Sequence, residues 1–119
     1  TGNNYLNIYL QGSGSGASSG TFAAGSYSEM PIGSLNGTDT TSNVFTNCIF
    51  YIPNYTSSSQ KFISDDSVRE NNATSGIDFL SAGLWTGTSA INTITLRVYG
   101  GSANLVQYST FYLYGINNS

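Results

Sequence analysis

Short stretches rich in apolar, aromatic and branched residues recur along the chain between turn-forming residues, and one of them, Ile91 to Val98, alternates with a period of two. No stretch keeps the 3.6-residue period of an amphipathic helix. Tyr5-Leu6-Asn7-Ile8-Tyr9-Leu10 is rich in aromatic and branched residues and predicts a strand. The run Gly12 to Gly20 holds four glycines and four serines and predicts a flexible loop, or a wide connection at the end of a sandwich. Tyr27 to Leu35 reads as a weak strand that Pro31, having no N–H, confines to an edge or a bulge. A turn at Asn36-Gly37-Thr38-Asp39 leads to a long strand from Val44 to Ile52, stopped by Pro53-Asn54. Lys61-Phe62-Ile63 resumes after Ser57-Ser58-Ser59, and Gly76 to Trp85, Ala90 to Tyr99 and Leu105 to Tyr114 follow. Of these the Ala90–Tyr99 pattern is the clearest, with Ile94, Leu96 and Val98 making an apolar face.

About six to eight strands spaced by turns, with no helix, predict an all-β fold, an antiparallel β-sandwich. An immunoglobulin-like topology fits the same pattern, but its Cys-Trp-Cys hallmark is absent. The expected core is Trp85, Ile94, Leu96, Phe111, Leu113 and Tyr114, with Phe50 beside them. At 119 residues the chain is one domain, able to bury roughly two-thirds of its unfolded surface without a metal or a disulfide.

Charge narrows the partners. Only 8% of residues are charged, so hydroxyl and amide groups carry the solubility, as on an extracellular or virion surface. A net charge of −3 argues against a phosphate backbone as partner, because displacing its counterions takes several Lys or Arg. No apolar run approaches the ~20 residues of a membrane-spanning helix, and the chain reads as soluble. Cys48 is the single cysteine, lies in an apolar run, and reads as a small core residue.

Catalysis has little to build on. Without histidine there is no Ser-His-Asp or Cys-His arrangement and no imidazole for zinc. Two carboxylates suffice for a glycosidase, yet no spacing among Glu29, Asp39, Asp65, Asp66, Glu70 and Asp78 selects a pair. Asp65-Asp66 with Glu70 offers oxygens for calcium but lacks the alternating EF-hand spacing. The expectation is therefore a protein with no enzymatic activity, no cofactor and no metal. Nine tyrosines, six phenylalanines and Trp85 are the remaining resource. Exposed rings stack on sugars, and Tyr27, Tyr55 and Tyr108 are the candidates for contact with a glycan, the other rings being ascribed to the core and to strand ladders. Sequons at Asn36, Asn54, Asn72 and Asn117 fall in predicted loops or at the C-terminal end, where a glycan could be attached.

One set of residues carries a resemblance. Thr1-Gly2-Asn3-Asn4-Tyr5, Ile52-Pro53-Asn54-Tyr55, Gly83-Leu84-Trp85 with Thr88, Ala90, Ile91, Ile94 and Thr95, then Asn104, Tyr108-Ser109, Phe111 and Leu113-Tyr114-Gly115-Ile116 stand in this order. Together they resemble the jelly-roll-type β-sandwich modules of tailed-phage virion proteins, found in tails, fibres and capsid decoration. The resemblance implies a structural or adhesive role in a virion and brings no catalytic residues with it. It also implies one or two strands ahead of Thr1, so the chain reads as a fragment lacking upstream strands. The edge so exposed would be covered by upstream residues or by a strand from a neighbouring subunit, and the isolated chain would be unstable or prone to aggregate.

Two functions are therefore expected. The first is a structural module that assembles with copies of itself or with other virion or filament subunits. The second is a carbohydrate-binding module displayed on a fibre or a cell surface.

Overall fold

A computed structural model describes residues 4–22, 28–38, 40–72, 75–98 and 103–116. Among them the protein is all-β, with no helix. The strands are β1 (Tyr5–Ser13), β2 (Gly16–Phe22), β3 (Thr46–Tyr51), β4 (Lys61–Glu70) and β5 (Gly76–Trp85). They form one five-stranded sheet in the order β2-β1-β5-β4-β3. All four pairings are antiparallel. The strand predicted from Gly76 to Trp85 is β5. The pattern starting at Lys61 runs on through Glu70, because Ser64, Asp65, Asp66 and Ser67 all pair with β5.

The Gly/Ser run is a correction. Instead of a loop it forms the end of β1, a two-residue turn at Gly14-Ser15, and β2. The reason is the Tyr9 ring, which lies flat over Gly20 so closely that a Cβ there would meet Tyr9 Oη at 2.4 Å. An aromatic ring covering a strand glycine supplies the packing that the glycine lacks. Tyr9 also stacks on Phe79, with ring centroids 5.0 Å apart, and leans on Phe22 at 5.4 Å. Phe79 is the one buried hydrophobic residue among those described.

The connection from β2 to β3 must travel from one edge of the sheet to the other. It does so as a strap over one face, here termed inner, and not as the strand expected from Tyr27 to Leu35. Met30 lies over Gly83 of β5, Gly33 sits on Cys48 of β3, and Asn36 reaches Thr46 at the start of β3. Gly33 has φ +68, and a Cβ there would come within 2.9 Å of Cys48 Sγ, so glycine is required on both counts.

The C-terminal part differs most from expectation. Residues 90–98 and 103–116 form no strand, and apart from an isolated bridge between Gly37 and Leu105 they have no ladder. Ile91 N–H donates to the Tyr55 carbonyl at 2.8 Å, Thr38 N–H to Asn104 O at 3.0 Å, and Arg97 pairs with Glu29. The expected core is corrected accordingly. Ile94, Phe111, Leu113 and Tyr114 are exposed, while Trp85 and Leu96 are half-buried. Phe50 and Cys48, on β3, are half-buried too. Alternation buries a side chain only if the strand has a sheet to join, and residues 90–98 and 103–116 have none.

Candidate functional site

The two faces of the sheet are the features that can do work. Each strand alternates, so register decides what each face carries. The inner face holds Asn7, Lys61, Asp65, Ser67 and Ser81, all buried and all polar. The strap accounts for all of them but Lys61, since its backbone groups leave water without a strand partner and must find side chains instead. Asn7 Nδ2 donates to Pro31 O at 2.8 Å and to Ser81 Oγ at 3.0 Å. Gly33 N–H donates to Asp65 Oδ2 at 2.6 Å, and Ser34 N–H to Ser67 Oγ at 2.8 Å. Ser81 Oγ donates in turn to Asp65 Oδ1. Asn36 N–H donates to Thr46 Oγ1 at 3.1 Å, while its side-chain Nδ2 donates to Glu70 O at 3.1 Å. The polar row thus latches one crossing segment. Asn7 Oδ1 is buried and has no partner.

Two ionisable groups follow from this burial. Burial pushes the Asp65 carboxyl up to about 6; the Gly33 N–H opposes that shift, and the neighbouring Asp66 charge adds to it. Burial, with Asp65 and Asp66 nearby, pushes the Cys48 thiol up to about 11, which leaves it protonated and unreactive at neutral pH. Lys61 is buried, and among the described residues no carboxylate pairs with it. Its Nζ donates to the carbonyls of Ser59 and Ser89 and stands 5.6 Å from the centre of the Trp85 ring. It ties both flanks of the sheet's end together.

The outer face is the reverse. Leu6, Leu84 and Phe62 align in one row, Ile8, Ala82, Ser64 and Tyr51 in the next, and Leu10, Leu80, Asp66 and Ile49 in a third. Ile8, Leu10, Ile49, Tyr51, Phe62, Val68 and Leu80 are all exposed, Ile49 at 67% and Leu10 at 61%. An open hollow of about 460 Å³ lies on this side, between Leu10, Gly12, Ala17, Asp78 and Leu80. Contiguous apolar surface of this kind marks a contact site.

The sequence-derived candidates are not gathered into one place. Tyr55 and Tyr108 are both exposed, Tyr108 at 89%, and share no ring contact with each other; Tyr27 lies outside the described residues. Among the sequons, Asn54 and Asn72 are exposed, each at positive φ, and Asn117 lies outside the described residues. Asn36 is a correction, for its amide is buried and spent on the Glu70 carbonyl, leaving no room for a glycan. Asp65 and Asp66 point to opposite faces, so they do not converge on a cation. Glu70 accepts from the N–H groups of Phe45 and Asn72. A second cavity of about 290 Å³, lined by Asn36, Val44, Arg69, Glu70 and Ile77 among others, carries one acid and one base and no second carboxylate. What sequence reasoning missed is the polar latch at Asn7, Asp65, Ser67 and Ser81. Its only signal is a polar residue within each of three strands, with Asp65 and Ser67 at alternate positions of one of them, which reads equally well as a solvated face.

No family of proteins, no curated protein and no solved structure matches the chain.

Proposed function

We propose that the chain is a non-enzymatic structural module of a virion or an extracellular filament, which assembles with copies of itself or with neighbouring subunits. The observation that carries this reading is the outer face of the sheet, apolar across its central strands and open to solvent. A lone soluble domain gains nothing from such a face, whereas a subunit buries it on assembly. Low charge supports the same reading, since few ions must be desolvated at the contact. The likeness of Gly83-Leu84-Trp85 and Leu113-Tyr114-Gly115-Ile116 to tailed-phage modules supports the virion setting, with a jelly-roll as the architecture of the complete module. Light scattering over a range of concentrations tests the proposal. Mass should rise with concentration, and a monomer throughout would overturn it.

A second reading has one observation in its favour. Tyr112 and Tyr114 are exposed at 76% and 79% and stack with centroids 6.5 Å apart, a platform of the type that holds a sugar face. Retention on neutral polysaccharide that disappears with Tyr112→Ala would support carbohydrate binding.

A further inference from the structure

Among the described residues two apolar surfaces lack a cover. One is the outer face of the sheet. The other is the segment 106–116, in which Val106, Phe111, Tyr112, Leu113, Tyr114 and Ile116 are exposed. We propose that the outer face of one copy is covered by the segment 106–116 of a second copy. This rests on the reading of the chain as an assembly module and names the surfaces it uses.

Three observations select that occupant. The first is charge. The described part of the outer face carries Asp66, Asp78 and Glu70 and no basic residue, so two such faces meeting directly would set acids against acids. The segment 106–116 holds no charged side chain and can lie on this face without that penalty. The second is pattern and length. As a strand it would turn Phe111 and Leu113 to one side, and its eleven residues would span ~36 Å against ~33 Å for the ten-residue β4 and β5. The hollow beside Leu10 and Leu80 offers one of these side chains a seat, and beyond Gly12 there is open space.

The third observation is the tether. The bridge of Leu105 to Gly37, reinforced by Thr38 N–H to Asn104 O, fixes the start of the segment to the end of the strap, and the strap crosses the opposite face. Its own segment therefore leaves on the inner side, and the outer face is free for another copy. If two copies exchange segments the contact closes as a dimer; if each passes its segment to the next it propagates as a filament.

The test places cysteines at Leu80 and Leu113 in the full chain, with Cys48→Ser, and follows disulfide formation on non-reducing gels alongside light scattering of the unaltered chain. Both introduced positions are exposed, so folding is retained and is checked by circular dichroism. The expected result is cross-linked dimers or ladders, together with at least about tenfold weaker self-association in a Phe111→Ser, Leu113→Ser variant. A cross-link formed only within single chains overturns the inference, because the segment then covers its own sheet. Assembly that persists with no cross-link and no effect of the double serine variant also overturns it, while leaving the proposed function standing on another surface. A monomer without cross-links overturns both.

Discussion

The inner face of the sheet buries a row of polar side chains beside one aromatic cluster, Tyr9, Phe22 and Phe79; the outer face is apolar and open. A one-sided antiparallel sheet ordinarily does the opposite, hiding its apolar side and wetting its polar one. The inversion has a physical cause on each side. On the inner face the cover is not a second sheet but a single crossing segment, whose N–H and C=O groups require acceptors and donors. Asn7, Asp65 and Ser67 provide them, and Ser81 links Asn7 to Asp65. On the outer face no described segment crosses, and Ile8, Leu10, Phe62 and Leu80 remain in water. Stability therefore draws on the polar latch and the Tyr9–Phe79 stack of one side, and the proposed association on the apolar contacts of the other.

Mutations that separate the two faces should separate the two properties. The largest effect is expected on the latch. Asn7→Ala removes the bonds to Pro31 O and Ser81 Oγ inside a closed region and should cost about 2–3 kcal/mol in denaturant unfolding. Gly33→Ala comes next, at roughly 1–2 kcal/mol, since it forces a side chain to φ +68 and against Cys48. Unchanged unfolding in both variants would mean that the strap contributes nothing.

Acidity probes the same latch. The Asp65 carboxyl, lifted to about 6, binds a proton more readily in the folded state than in the unfolded one. Where the folded state binds more protons, stability falls as pH rises, so this group favours folding below about pH 4 and loses that contribution through pH 6. The difference in unfolding free energy between pH 4.5 and 7 should shrink in Asp65→Asn, and an equal pH dependence in both proteins would contradict the assignment. The smallest effect on folding is expected on the outer face. Ile8→Thr, at a side chain 58% exposed, should change unfolding by no more than ~0.5 kcal/mol while weakening any self-association that light scattering detects. Glycosylation offers a separate check. In a eukaryotic host a glycan found by peptide mass mapping should sit at Asn54 or Asn72 and be absent from the buried Asn36.

Local pattern was sufficient for part of this molecule. The absence of a helical period and the apolar, aromatic and branched content of Tyr5–Leu10, Val44–Ile52 and Gly76–Trp85 determined an all-β chain and placed three of its strands, because such side chains suit an extended backbone. Whether a strand-like segment joins a ladder depends instead on a partner distant in sequence. Ala90–Tyr99 shows the best alternation of all, yet its described residues join no strand ladder. Gly12–Gly20 shows none, yet on both sides of its Gly14-Ser15 turn it pairs, because the Tyr9 ring covers Gly20. Which face turns inward was likewise beyond the sequence, since alternation gives two faces without saying which one a crossing segment will cover. Only the tertiary structure decided that the polar side of β1, β4 and β5 lies under residues 30–36, where unpaired backbone groups made Asn7 and Asp65 buried residues and left Leu10 and Leu80 outside.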